Sequence, residues 1–315
     1  MELVPQIEWL ADEFTQWRRD IHAHPELGFE EARTADFVAE KLESFGIQVQ
    51  RGVGKTGVVG VLRCGNEPRS IGLRADMDAL PIRENNDFGH RSTHDGTMHA
   101  CGHDGHTVML LAAAKYLAES RDFRGQVNFI FQPAEEGLGG ALAMIEDGLF
   151  EQFPCDRLYA MHNGPGLPVG RFAAVPGIRT AAGAFFDITI EGRGGHGAFP
   201  HQTVAPVPIA AQVIMALQTL VSRNTQPGQM AVVSVTRMQA GDAYNVIPGS
   251  ATISGTVRTL TLESMHNIRD RMHDIASGIA CGLSAKADTD FRILFHPVAV
   301  SYTHLRAHET PEHRV

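Results

Sequence analysis

The sequence has few cysteines and no excess of basic charge, and each shortage excludes a class of protein. Its 315 residues include only four cysteines, which lie far apart with no CxxC pair. Because a disulfide-stapled extracellular domain needs many closely spaced cysteines, reduced thiols are the simpler interpretation. The chain holds 27 basic and 36 acidic residues, a net charge of −9. This charge disfavours nucleic acid or an anionic membrane surface as the main partner.

Long apolar runs are also missing. No segment approaches the roughly 18 consecutive apolar residues of a membrane-spanning helix. Residues 1–5 do not form the basic segment that precedes the apolar part of a secretion signal. We therefore expect a cytoplasmic protein that does not associate with membranes.

The composition that remains is that of a globular protein with many histidines. Hydrophobic residues make up 43% and charged residues 20%, which is ordinary for a packed domain. The length exceeds what one hydrophobic core usually organises, so two domains are expected. The chain has 16 histidines, and the useful question is which of them cluster with other metal-ligand types.

Periodicity predicts two domains of different architecture. Over residues 1–178, short β-branched runs alternate with helical patterns, which predicts an α/β domain with a mostly parallel sheet flanked by helices. Over residues 179–286, the pattern predicts a compact α+β domain with two helices on an antiparallel sheet.

Ligand-type or acidic side chains occur at four predicted strand ends of the first domain. They are Asp76 and Asp78, Cys101 and His103, Glu135 and Glu136, and His162. Because ligands bind at the carboxyl ends of strands in open α/β sheets, we expect these groups to meet at one sheet edge. Thiolate and imidazole suit Zn²⁺ and similar metals, and one acid of a neighbouring pair can remain free to take a proton from water.

Each segment alone has an ordinary structural explanation. Asp104 can cap the helix that follows it, the Asp-x-Asp segment can be a turn, and Glu135 and Glu136 can be a solvated pair. A lone histidine such as His162 is usually structural. Only the coincidence of all four segments favours a metal site, in which one aspartate orients a ligating histidine.

Five motifs resemble the amidohydrolase branch of the M20 metallopeptidase family, which includes hippurate hydrolases, N-acetyl-diaminopimelate deacetylases and indole-acetyl-amino-acid hydrolases. The resemblance extends from about Trp17 to Val300. The motifs occupy residues 19–27 (RDIHAHPEL), 74–81 (RADMDALP), 99–104 (HACGHD), 132–136 (QPAEE) and 194–201 (GGHGAFPH).

The resemblance implies a metal-dependent hydrolase that cleaves N-acyl amino acids, with hippurate-like or N-acetyl substrates. It implies two divalent metal ions, for which Zn²⁺, Mn²⁺, Co²⁺ and Ni²⁺ are all suitable. Glu135 is then the general base and acid, and Asp78 orients the metal site. The implied metal ligands are Cys101, which is shared between the two metals, together with His103, Glu136 and His162.

The resemblance also implies that the second domain is inserted in the first, to which residues 287–300 return. It is then a lid and dimerisation domain, so a homodimer is expected. His196 is then placed at the active site of the partner subunit, where it hydrogen-bonds the tetrahedral oxyanion. Asn245 and Arg258 are implied to hold the substrate carboxylate, a task that suits a guanidinium group. For Arg258 the alternative is membership of a structural ion pair.

Residues 301–315 do not fit the resemblance. Family members return to the catalytic domain for further elements and a last ligand histidine, whereas these residues hold three histidines without helical or strand periodicity. We interpret the chain as truncated near Val300, with a tail produced by a frameshift or an assembly error. Alternative functions are an inactive fragment or pseudoenzyme that retains dimerisation, and a peptidase of the same superfamily. Cys101 argues against the peptidase, because the peptidase branches generally use a bridging aspartate.

Overall fold

The chain divides into two compact units, and each has its own hydrophobic core. The structure is a computed structural model that describes residues 5–174 and 177–300. The first unit ends at Phe172 and the second begins at Ala173, close to the boundary predicted at residue 178. The predicted anomalous tail, residues 301–315, lies outside the described residues.

The first unit alternates helices and strands. Its helices are α1 (Pro5–Glu8), α2 (Ala11–Ala23), α3 (Ala32–Ser44), α4 (His103–Ser120), α5 (Gly140–Glu146) and α6 (Leu149–Gln152). Its strands are β1 (Gln48–Val53), β2 (Gly57–Cys64), β3 (Ser70–Asp76), β4 (Gly125–Gln132) and β5 (Arg157–Ala160).

The five strands form one sheet in the order β1-β2-β4-β3-β5. The predicted α/β class is confirmed, but the sheet is mixed instead of mostly parallel. Strand β3 is parallel to β4 and β5, whereas β1 with β2 and β2 with β4 are antiparallel. For β1 and β2 the reason is local: a tight turn with Gly54 and Lys55 at positive φ joins them, and a hairpin can only be antiparallel. The mutually parallel strands β4, β3 and β5 all have their carboxyl ends at the same edge of the sheet.

Strand β4 is the centre of the first core. Phe129 and Phe131 point to the face covered by α2, α3 and α4, while Ile130 points to the face covered by α5 and α6. This alternation follows from the two-residue period of a strand. Because both faces are buried, the segment is a continuous apolar run, and burial of each such side chain stabilises the fold by about 2 kcal/mol.

The second unit contains a four-stranded antiparallel sheet and two smaller, two-stranded sheets. Its strands are β6 (Gly177–Thr180), β7 (Ala182–Glu191), β8 (Gly195–His196), β9 (Ala231–Gln239), β10 (Val246–Ile247), β11 (Ser250–Thr259), β12 (Lys286–Phe295) and β13 (Val298–Val300). Its helices are α7 (Pro206–Leu217), α8 (Thr219–Asn224) and α9 (Leu262–Gly282), with a short 3₁₀ turn at Pro200–Gln202.

The main sheet of the second unit has the order β12-β7-β11-β9, and all its pairings are antiparallel. Ile188 of β7, Ile253 of β11 and Met272 of α9 are fully buried between the sheet and the helices. The predicted α+β architecture is therefore present. Two helices were predicted, whereas the described part of this unit has three, because the first helical segment is divided into α7 and α8, which meet at Gln218.

Strand β12 corrects one domain assignment. Residues 287–300 were predicted to return to the first domain, but β12 pairs with β7 along almost its whole length, from Lys286 opposite Glu191 to Phe295 opposite Gly183. The physical reason is that α9 returns the chain beside the free edge of β7, whose hydrogen-bonding groups need a partner. Within the described ranges, no helix is long and apolar enough to cross a membrane.

Candidate metal centre

The carboxyl ends of β3, β4 and β5 lie side by side at one edge of the first sheet. Asp76, the last residue of β3, is opposite Gln132, the last residue of β4, and Ala160 at the end of β5 is opposite Arg74. The segments that follow these strands carry the acids and the histidine singled out by the sequence. The predicted convergence is thus a property of the register for three of the four segments. The fourth prediction is wrong, because Cys101 and His103 do not follow a strand: they lie at the N-terminus of α4.

A glycine turn delivers Cys101 and His103 to this edge at the start of α4. Gly102 has φ 86°, a left-handed conformation that favours glycine. A Cβ atom at this position would lie 1.8 Å from Nδ2 of Asn163, so no larger residue fits without moving that side chain. The turn therefore needs glycine for both conformation and space.

The turn that carries Glu135 and Glu136 is held by a buried carboxylate. Ala134 has φ 48°, an uncommon conformation for a residue with a Cβ. Its N–H donates to Glu31 Oε1 at 2.8 Å, and the Thr56 hydroxyl donates to the other oxygen at 2.6 Å. Burial raises the pKa of Glu31 although these hydrogen bonds oppose it. Glu31 lies outside the five motifs, so no sequence signal pointed to it.

His103 is completely buried and oriented by Asp78. Nδ1 of the imidazole lies 3.1 Å from Asp78 Oδ1, and the other oxygen of Asp78 accepts a hydrogen bond from Glu136 N at 2.9 Å. A carboxylate on Nδ1 fixes the tautomer in which Nε2 is free to bind a metal. Asp78 thus lies where an orienting carboxylate is needed, against both His103 and Glu136.

The Nε2 atom of His103 is the clearest sign of a cation site. Although buried, it has no hydrogen-bond partner among the described residues. The nearest carboxylate oxygens are Asp76 Oδ1 at 3.7 Å and Glu136 Oε1 at 3.9 Å, too far for hydrogen bonds. Two ligand atoms about 2.0–2.3 Å from one cation lie roughly 3–4 Å apart, so these separations suit a shared ion.

Three groups of side chains within the described residues have ligand atoms within 4.8 Å of one another. His103 belongs to every group, and the Cys101 Sγ atom lies 3.4 Å from His162 Nε2. The groups are Cys101, His103 and His162; His103, Glu135 and Glu136; and Asp76, His103 and His106. The four predicted ligands and Glu135 are therefore brought together. The sharing of Cys101 between two metals stays a prediction.

The charge balance favours a cation at His103. Burial lowers the pKa of this imidazole, but the contacts with Asp78 and Cys101 and the charges of Asp76 and Asp78 outweigh it and raise the pKa to about 11. His103 thus holds a proton that a metal must displace. Metal affinity is consequently expected to rise with pH.

Glu135 has the properties of a proton acceptor. Its pKa is raised, first because burial of the carboxylate disfavours its charge and then because Asp76 and Glu136 repel it. The side chain nevertheless remains open to solvent at the mouth of the site. A carboxylate whose pKa is moved towards neutrality is a better general base.

Asp76 and His106 also belong to the site, although neither was assigned a role from the sequence. His106 Nδ1 lies 2.6 Å from Asp76 Oδ1, and its Nε2 accepts a hydrogen bond from Asn163 N at 2.9 Å. Burial opposes ionisation of Asp76, yet the hydrogen bond from His106 and the charge of Arg74 lower the pKa of Asp76 well below its usual range. His106 follows His103 by three positions on α4, and this one-turn spacing was the available signal.

Asp104 serves a different purpose from the predicted helix cap. The N-terminus of α4 has no side-chain capping hydrogen bond. Instead, Asp104 Oδ2 is 2.9 Å from His22 Nδ1 and accepts from Arg18 Nε at 3.0 Å, while His22 Nε2 is 3.1 Å from Glu84 Oε1. The first of the five motifs therefore anchors the helix that carries His103.

We expect His22→Gln to destabilise the protein by about 2 kcal/mol near pH 6, because a charged hydrogen bond to buried Asp104 is lost. The hydrogen bond to Asp104 raises the pKa of His22 above its ordinary 6.5, although burial opposes it. A raised histidine pKa stabilises the fold fully below the unfolded value and progressively less as pH rises through the folded value. Urea unfolding at pH 6 and pH 9 checks this. If the variant lost the same free energy of unfolding relative to wild type at pH 6 and at pH 9, the expectation would be contradicted.

The second unit presents His196 and Asn245 together. His196 of β8 is opposite Val246 of β10, and Gly197 N donates to Asn245 O at 2.8 Å. The His196 side chain is exposed, and its Nδ1 accepts from Ala198 N at 3.1 Å. Because Nδ1 is an acceptor, the single hydrogen of the neutral imidazole is on Nε2. Nε2 can therefore donate a hydrogen bond to an oxyanion.

Arg258 lies far from this pair within the second unit. It is near the end of β11, about 25 Å from Ser250 at the start of that strand. Its guanidinium lies over the Phe295 ring at 5.4 Å and donates to Val257 O at 3.0 Å. Arg258 has no acidic partner within 4.0 Å in the described part of the chain, so the alternative of a structural ion pair is not supported.

Comparison with known proteins decides the family. Residues 72–288 match the model of peptidase family M20/M25/M40. This chain belongs to that family. The resemblance inferred from the five motifs is confirmed.

Relatives within the M20 family act on amides. The chain is 50% identical over 280 residues to the hippurate hydrolase of Campylobacter jejuni, covering 89% of this chain and 73% of that protein. It is 44% identical over 301 residues to the N-acyl-L-amino acid amidohydrolase of Geobacillus stearothermophilus, covering 93% and 80%. The M20 chain described here is a hydrolase that acts on amides.

A solved M20 structure supports the fold. The YXEP protein of Bacillus subtilis, described as a dinuclear metal binding peptidase, is 36% identical with a TM-score of 0.79, covering 95% of this chain and 78% of that one. The free Nε2 of His103 and the surrounding thiolate, carboxylates and imidazoles of this M20 chain fit a divalent metal.

Proposed function

We propose that this M20 protein hydrolyses the amide bond of N-acyl amino acids, with hippurate-like or N-acetyl substrates. The observation that carries the proposal is the position of Glu135, a free carboxylate beside the ligand-type side chains at the sheet edge. The 50% identity to a hippurate hydrolase supports the substrate class.

We assign two divalent metal ions to Cys101, His103, Glu136 and His162. A mixed set of thiolate, imidazole and carboxylate ligands suits Zn²⁺, Mn²⁺, Co²⁺ and Ni²⁺. When bound, they polarise the scissile carbonyl and lower the pKa of water. Asp78 keeps two of these ligands in place, because one of its oxygens holds the His103 ring and the other holds the Glu136 backbone.

Glu135 moves the proton in the proposed reaction. It takes a proton from water as the water oxygen bonds to the carbonyl carbon. It returns that proton to the amide nitrogen as the carbon–nitrogen bond breaks. The products are the carboxylic acid and the free amino acid. The raised pKa of Glu135 suits both steps, because the group must accept and then release the same proton.

We further propose a homodimer in which His196 completes the site of the partner subunit by donating to the oxyanion. Asn245 and Arg258 are proposed to bind the substrate carboxylate.

A substrate panel with and without a chelator tests the function. We expect glycine release from hippurate or amine release from N-acetyl amino acids, lost with a chelator and restored by Zn²⁺, Mn²⁺, Co²⁺ or Ni²⁺. A second candidate, a peptidase, is favoured by the description of the Bacillus subtilis relative. Cleavage of dipeptides without cleavage of acyl amino acids would select it, and no turnover with any metal would favour a pseudoenzyme.

A further inference from the structure

We propose that His106 is a positioning residue that holds the His162 segment in place through its Nε2 atom. The inference rests on the proposed assignment of His162 as a metal ligand. His106 itself does not contact the metal in this scheme. It acts through the backbone of Asn163, the residue that follows His162.

A chain of hydrogen bonds fixes the tautomer of His106. The backbone N–H of Asn163 can only donate, so Nε2 of His106, 2.9 Å away, must be the acceptor. The ring hydrogen is then on Nδ1, from which it is donated to Asp76 Oδ1 at 2.6 Å. Arg74 Nη1 occupies the other oxygen of Asp76 at 2.6 Å. The ring therefore has one orientation and no nitrogen left for a metal.

The segment after β5 depends on this contact. Strand β5 has only four residues and pairs with β3 at the edge of the sheet, and His162 and Asn163 are exposed. Asn163 Nδ2 also donates to Cys101 O at 3.2 Å, and the rings of His106 and His162 are 4.5 Å apart. Asn163, the residue beside one ligand, is thus tied to α4 through its backbone N–H and to the backbone of another ligand through its side chain.

Two amide variants separate the two nitrogens of His106. In His106→Gln the amide oxygen reaches the position of Nε2 and still accepts from Asn163. In His106→Asn the amide occupies the position of Nδ1, so the contact with Asp76 remains and the contact with Asn163 is lost. Both variants are neutral and of similar polarity, which makes them matched controls for each other.

The measurement is Co²⁺ affinity, by competition with a chelator and followed by the Co²⁺ absorption spectrum. We expect His106→Asn to weaken binding about 10- to 100-fold, the usual effect of losing an outer-shell partner, and His106→Gln to weaken it far less. Equal affinities of the two variants would overturn the proposal, whether both match wild type or both fall.

A control variant and a measurement on the wild type complete the test. Thr107→Val removes a 2.9 Å hydrogen bond to Asp76 O without touching Asn163, so Tm should fall while Co²⁺ affinity is retained. If the His106 variants do not fold, amide hydrogen exchange in the wild type decides. Protection of the Asn163 amide is expected, and exchange at the solvent rate would overturn the proposal. Because neither readout uses turnover, failure of the proposed substrate class would leave both results unchanged.

Discussion

Replacement of Glu135 by glutamine is expected to lower kcat for an N-acyl amino acid about 10²- to 10⁴-fold, the usual contribution of a general base. Glutamine has nearly the same shape but cannot take a proton from water. The neighbouring Glu136, whose backbone N–H is held by Asp78, should remain in place. Metal content per chain should therefore stay at the wild-type value, and KM should change little.

Two comparisons make the result on Glu135 specific. Glu151→Gln changes an exposed carboxylate on α6, outside the site, and should leave kcat unchanged. Glu136→Gln should lose metal as well as activity. If Glu135→Gln kept full kcat with its metals bound, Glu135 would not be the base and the proposed proton transfer would be wrong.

Replacement of His103 by alanine is expected to weaken metal binding by more than about 100-fold, beyond the range typical of outer-shell changes. His103 belongs to all three groups of ligand atoms, and its buried Nε2 has no hydrogen-bond partner among the described residues. Its loss removes the group around which the others converge. Chelator competition with Zn²⁺ or Co²⁺ measures the change, and activity should be lost with it.

A graded series separates ligand loss from misorientation. Asp78→Asn keeps the His103 ring but weakens its orientation, so metal affinity should fall about 10- to 100-fold. His273→Ala removes an exposed histidine of α9 in the second unit and should have no effect. Unchanged metal affinity in His103→Ala would refute the assignment of this centre.

The strands that carry the site were predictable because their signals are local. The run around Phe129 is apolar on both faces, since β4 is covered on both sides by helices. By contrast, β1 was not predicted. Its residues, Gln48–Val53, are mostly exposed, and only pairing with β2 makes them a strand. Edge strands of this kind have little hydrophobic pattern of their own.

The mixed direction of the first sheet and the place of β12 were not predictable from the same signals. Periodicity shows that a segment is a strand but contains no information on its neighbour or direction. The turn at Gly54 and Lys55 reverses β2 against β1, and the free edge of β7 accepts β12. The first outcome depends on a backbone conformation that residue type alone does not determine. The second depends on a contact between segments that are far apart in the chain.

The available chemistry could be read from the residue types alone, because a thiolate, imidazoles and paired acids in short motifs define which metals and proton transfers are possible. Which acid serves which histidine depends on the folded chain. Asp76 and Asp78 are close neighbours in the chain, yet one binds His106 and the other binds His103. That choice is made by the packing of α4 against β3 and β4, because hydrogen bonds depend on distances that exist only once the helix lies on the sheet.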